Sequence, residues 1–179
     1  MQRTFDTLAL FGLSAVLLVA FYYQFALGEL PCPLCALQRV GFIVAGVALM
    51  LNLRSGCSPA HYGLVLLTSV AAGAASLRQI ALHVVPGSGS YGSALFGWHF
   101  YTWAFVAYGA LVVYVGAMLL VTRAPRAGER PPRLGFFAKL ACVLLVVLAA
   151  ATAAAFLLEC GLGPCPDNPV RYLWWPALR

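Results

Sequence analysis

Five long apolar runs separated by short polar stretches organise the chain, and each is long enough to cross ~30 Å of hydrocarbon as a helix. Positions 7–28, between Asp6 and Glu29, hold 22 residues without a charge and form span one. That run exceeds the 7–15 apolar residues of a secretory h-region, so a retained span is expected rather than a cleaved signal. Arg39 and Arg54 enclose only 14 residues, about 21 Å of helix at 1.5 Å per residue. Span two must therefore begin ahead of Arg39, and a placement at 34–53 leaves that arginine more than one turn inside the helix. The polar turn from Arg54 to Pro59 leads to span three at 62–85, which carries Arg78 and His83 in its last two turns.

Glycine and serine over positions 86–93 predict a loop, and Trp98, Tyr101 and Trp103 predict an aromatic belt before span four at 100–121. A linker from Arg123 to Arg133 holds Pro125, Pro131 and Pro132, which resist helix. Span five follows at 140–158, and a polar tail occupies 159–179. The pattern predicts an all-α integral membrane protein, with residues 1–179 as a single membrane domain.

Composition agrees. Hydrophobic residues make up 63% of the chain, charged residues 9%, and the mean hydropathy is +0.89, whereas soluble domains carry about a quarter charged residues. The net charge of +6 raises nucleic acid as a partner. The basic residues are scattered, however, and Arg123, Arg126, Arg130 and Arg133 crowd one linker, which suits a cytoplasmic loop that sets topology. With five spans, Arg3, Arg54 and this cluster share one side. The expected location is the bacterial inner membrane, with the N-terminus cytoplasmic and the C-terminus periplasmic.

That topology sorts the six cysteines. Cys32, Cys35, Cys160 and Cys165 fall on the outer, oxidising side, Cys57 in a cytoplasmic turn and Cys142 within span five. Cys57 and Cys142 read as a reduced thiol and a small buried apolar side chain. Cys35 falls in the first turn of span two, where unpaired N–H groups and the helix dipole favour a thiolate. Arg39 lies four residues on and therefore on the same helical face. A guanidinium there suits stabilising the thiolate and donating hydrogen bonds to a quinone carbonyl or to the oxyanion formed on its reduction. The competing reading is an arginine that snorkels to lipid headgroups.

Cys160 to Cys165 encloses two glycines and a proline, a turn able to close a small disulfide ring. A ring so small stabilises little by loop entropy, which favours thiol exchange over a structural staple. A tetrahedral zinc site using all four outer cysteines is a further alternative. It would leave Arg39 without a role.

Residues 31–39, Pro-Cys-Pro-Leu-Cys-Ala-Leu-Gln-Arg, resemble the motif of the disulfide bond formation protein B (DsbB) family, which includes an arginine four residues after its second cysteine. Spans one to four agree in order and spacing with that family's four-helix transmembrane bundle, so the resemblance covers about the first 122 residues. Span five becomes an addition to it. The resemblance implies a relay: a DsbA-like periplasmic thiol oxidoreductase is reoxidised by one cysteine pair, which is reoxidised by the Cys-x-x-Cys, which reduces ubiquinone or menaquinone. It implies that Cys35 engages the ring, that Arg39 lines the quinone site, and that Cys32 exchanges with the second pair. Four-span members carry that second pair between spans three and four. Residues 86–98 here hold no cysteine, and Cys160 with Cys165 is expected to replace it.

Arg78 and His83, ionisable residues on the outer half of span three, are candidates to complete the quinone pocket, with His83 as a proton carrier. The bland alternative is a helix-end histidine facing water. Tyr172, Trp174 and Trp175 are expected to anchor the tail at the interface. Two rival readings remain: a small multi-pass transporter or structural subunit with stapling disulfides, and a haem b carrier using His83 and His99.

Overall fold

The computed structural model describes residues 1–85, 87, 89–123, 133–166 and 169–174. Most of the proline- and arginine-rich linker, including Arg126 and Arg130, lies outside these residues, as do Pro86, Ser88 and Trp175. Among the described residues five helices form: α1 (Gln2–Ala26), α2 (Pro33–Ser55), α3 (Pro59–His83), α4 (Phe100–Val121) and α5 (Phe136–Cys160). All five are long and apolar enough to cross a membrane.

Helix ends follow local chemistry. Pro33 and Pro59 sit at the first helical positions of α2 and α3, where proline's missing N–H costs nothing. Ser58 caps α3 by accepting from the Ala60 amide at 3.3 Å. α1 begins ahead of the span read from the sequence because Asp6 lies inside the helix, fully buried. Its carboxylate accepts from Tyr62 Oη at 2.9 Å, Tyr114 Oη at 2.6 Å and Cys57 Sγ at 3.4 Å. A buried charge is tolerated only when paired or hydrogen-bonded, and these donors fasten α1 to α3 and α4. Burial and the neighbouring Asp6 carboxylate push the Cys57 thiol up to about 11.

α3 packs between α2 and α4, α1 packs on α2, and α5 lies against α1 and α2. Close approach depends on small residues, as is usual between helices in lipid. Gly41 faces Ala72 and Tyr108, and Gly46 faces Leu145 and Leu10, with no room at either for a Cβ. Phe42 stacks on Tyr108 with ring centroids 4.3 Å apart. Leu10, Leu17, Leu49, Leu53 and Val65 fill the core beside them.

A small antiparallel hairpin, β1 (Ala94–Leu95) and β2 (Trp98–His99), interrupts the loop ahead of α4. Its turn places Phe96 and Gly97 both at positive φ, 52° and 82°, as the tightest hairpins require. Phenylalanine seldom adopts this conformation, which is why the sequence reads as plain loop.

Candidate functional site

The four cysteines assigned to the outer side gather at one end of the bundle, where α1 and α3 finish, α2 and α4 begin and α5 ends. Two disulfides are present there, Cys32–Cys35 and Cys160–Cys165. Cys57 and Cys142 are free.

Cys32 is the N-cap of α2, and its sulfur accepts from the Cys35 amide at 3.1 Å. The helix thus directs backbone N–H groups at the pair, a setting that favours negative charge on sulfur. From α3, Gln79 Nε2 reaches both sulfurs, 3.2 Å from Cys32 and 3.5 Å from Cys35. Gln79 is held in turn by Gln38, whose Nε2 donates to its Oε1 at 2.8 Å, and Tyr108 Oη donates to the Gln38 carbonyl at 2.5 Å. This chain of fixed donors orients a dipole at the two sulfurs.

Beside the pair lies a cavity of about 410 Å³ between α1, α2 and α4. Leu17, Tyr23, Phe42 and Ala104 give it mostly apolar walls, while Cys35, Gln38 and Arg39 supply polar groups at one end. Cys32 is buried behind, at 6% exposure, and does not line it. Val16, Val19 and Val106 line the cavity while also facing the outside of the bundle, so it opens sideways between α1 and α4.

Arg39 does not snorkel. It is 8% exposed, with one guanidinium nitrogen donating to Gln24 Oε1, the other to the Ala20 carbonyl at 3.1 Å, and the Phe21 ring 5.5 Å away. The bundle fixes the cation at the cavity wall, which suits hydrogen bonding to a carbonyl or to a developing oxyanion.

The hairpin loop covers this end. Tyr91 donates to the Leu30 carbonyl at 2.7 Å, and Ser93 donates through its amide at 3.1 Å and through its hydroxyl to the carboxylate of Glu29. Burial and the carboxylates of Glu159 and Glu29 push Tyr91 up to about 12, which keeps it a neutral donor. Trp103, expected in an aromatic belt, lines the cavity and donates to the Leu95 carbonyl at 2.9 Å. Tyr101 lines it as well.

Arg78 is exposed and lies outside the cavity lining. His83 is half-buried and one layer removed: its ring stacks on Tyr101, and Nδ1 lies 2.8 Å from the Gln79 carbonyl. His99 stacks on the same tyrosine.

The tail folds back on the bundle. Leu173 and Trp174 amides donate to the Glu159 and Leu158 carbonyls at 3.3 and 3.0 Å. Tyr172, expected at the interface, is buried and accepts from Gln24 Nε2 at 3.1 Å. Cys160 is buried and Cys165 half-buried.

Gln24, Gln79, Glu159 and Tyr172 were not legible as site residues in the sequence. Uncharged polar side chains within apolar spans were the available signal for the two glutamines.

The family profile described as "Disulfide bond formation protein DsbB" matches residues 2–91. The chain belongs to this family. Proteins named disulfide bond formation protein B in Marinobacter nauticus, Chromobacterium violaceum and Azoarcus sp. are 40%, 41% and 38% identical to it over 77, 71 and 84 residues. Those segments cover 41%, 37% and 44% of this chain and 46%, 43% and 51% of the relatives. The matches thus span about half the length of these family members. No solved structure matches. The family segment contains α1 to α3 with Cys32, Cys35, Arg39 and Gln79, while α4, α5 and the tail cysteines follow it.

Proposed function

We propose that the chain is a quinone-dependent thiol oxidase of the inner membrane, with the Cys32–Cys35 end facing the periplasm, which reoxidises a DsbA-like dithiol carrier. One observation carries this reading: the sulfur-bearing Cys35 and the buried cation Arg39 line a single apolar cavity that opens sideways from the bundle.

In this reading Cys165, the more exposed residue of the tail pair, receives a thiolate of the carrier on its sulfur, and the Cys160 thiolate leaves. A second carrier thiolate closes the carrier disulfide and leaves the tail pair as a dithiol. The tail dithiol then reduces Cys32–Cys35 by the same exchange, two electrons and two protons moving with each new disulfide. Cys32 is buried, so this exchange needs the sulfur uncovered. The Cys35 thiolate would be stabilised by its place in the first turn of α2 and by Gln79, with Arg39 the cation lining the same cavity.

The cavity fits a quinone ring: its walls are apolar, and Arg39 supplies a donor at the end where Cys35 lies. Arg39, Gln38 and Phe42 would hold the ring, and His83 behind Tyr101 would serve proton movement. A bound quinone supplies the two-electron acceptor that draws the relay forward, each 30 mV of difference contributing about 1.4 kcal/mol. The residues equally suit ubiquinone and menaquinone.

Purified protein with a reduced carrier and a soluble ubiquinone analogue tests the reading by the loss of quinone absorbance. Wild-type turnover is expected, and Cys35→Ala abolishes it. Cys160→Ala stops turnover with the carrier protein while a small dithiol still drives quinone reduction directly. Full activity in Cys35→Ala would point instead to a transporter or subunit with stapling disulfides.

A further inference from the structure

Glu159, the residue before Cys160, is 1% exposed, and neither carboxylate oxygen has a hydrogen-bond partner among the described residues. Such a group is costly to bury, and its presence asks for a reason. The charged and titratable groups within electrostatic range of it are Arg39 from α2, Tyr172 from the tail and Tyr91 from the loop ahead of α4. Among these, Arg39 is the only cation. Glu159 has no place in the cavity lining. Any influence of its charge on the site therefore comes from behind the cavity wall, where Arg39 stands between.

The tail holds it there. The Glu159 carbonyl accepts from the Leu173 amide, and Tyr172 seats on Gln24, the residue that also accepts from Arg39. The added helix and its cysteine pair thus bring a counter-charge to a centre otherwise built from α1, α2 and α3.

We infer that Glu159 is a positioning residue whose carboxylate, held by the tail on the Gln24 side of Arg39, tempers the positive charge acting on Cys35 and so sets how strongly the Cys32–Cys35 disulfide oxidises. This rests on the thiol-oxidase reading above. The reduced pair carries negative charge on sulfur, and Arg39, which lines the same cavity as Cys35, is the cation placed to stabilise it. A carboxylate beyond Arg39 offsets part of that field, so removing it favours the dithiol.

The test is the equilibrium of the full-length protein with glutathione, in which two glutathione thiols become one glutathione disulfide as Cys32–Cys35 becomes a dithiol. Alkylation read peptide by peptide gives the reduced fraction. Glu159→Gln is expected to shift the equilibrium constant about tenfold toward the dithiol, about 30 mV for a two-electron couple. Glu159→Asp keeps the wild-type value. In an Arg39→Gln background the Glu159→Gln shift disappears. Should the glutamine form fail to accumulate, Glu159→Leu replaces it, because apolar replacements of buried ionic groups are commonly tolerated; the same shift is expected.

An unmoved equilibrium, or an equal shift without Arg39, overturns the inference. Quinone reduction by the wild-type protein is measured alongside: its presence with an unmoved equilibrium sinks the role of Glu159 alone, and its absence sinks the oxidase reading and this inference with it.

Discussion

The Gln79 side-chain amide donates to the Cys32 sulfur at 3.2 Å, tying α3 to the cap of α2. The same nitrogen lies 3.5 Å from Cys35. A donor shared by both sulfurs stabilises them most when they carry charge, in the reduced state. Gln79→Leu removes it, and bonds to charged groups are worth about 1.5–3 kcal/mol. The expected outcome is a Cys32–Cys35 disulfide at least tenfold harder to reduce in glutathione buffers. An unchanged equilibrium would show that the contact is mere packing.

Arg39→His should act chiefly on quinone use. The replacement is too short to keep both anchors, the Gln24 side chain and the Ala20 carbonyl. We expect KM for quinone to rise about tenfold or more, the scale of one charge-assisted hydrogen bond. Single-turnover exchange with a dithiol carrier, which needs no quinone, should persist. Loss of exchange with KM intact would contradict this assignment.

Tyr114→Phe probes the opposite end, where Asp6 accepts from Tyr62, Tyr114 and Cys57. Deleting one donor to a fully buried carboxylate should cost about 1–3 kcal/mol. Thermal unfolding in detergent should shift down while quinone reduction per folded molecule stays constant. An unaltered midpoint would mean that the Asp6 cluster bears little of the stability.

Cys57 gives a pH signature. Its thiol is pushed from 9.0 up to about 11 by burial and by Asp6, so the thiolate fraction at pH 8 falls about a hundredfold. Because the raised value keeps the thiol protonated, alkylation should be slow at neutral pH and accelerate up to pH 11. Rapid modification at pH 8 would refute the described environment.

Gly161→Ala tests the tail clasp. Gly161 ends α5 at φ 64°, and a Cβ there would meet the Trp174 indole nitrogen at 2.7 Å. Backbone strain of this kind costs about 1–3 kcal/mol. Trypsin should cut after Arg171 several-fold faster as the strap loosens. An equal cutting rate would show that the strap tolerates the methyl group.

The helices were legible because uncharged runs of membrane length leave few alternatives, and the Cys35–Arg39 face follows from helical spacing. The ends were less so. Asp6 reads as a boundary until Tyr62 and Tyr114 arrive from distant helices to bond it. Glu159 likewise reads as the first polar residue of a tail, yet it is buried within electrostatic range of a cation supplied by α2. Gln24, Gln38 and Gln79 acquire meaning only as partners across helices, which periodicity within one helix does not reveal. Tyr172 shows the same limit, since its aromatic character fits an interface anchor equally well.

On the proposed oxidase reading, the sideways mouth between α1 and α4 governs how a lipophilic acceptor is counted. A molecule arriving there is met at its mole fraction among surrounding amphiphiles, not at its molarity in the tube. Adding empty micelles at fixed total acceptor should therefore slow turnover by surface dilution, and kinetic constants compare across preparations only when expressed per amphiphile.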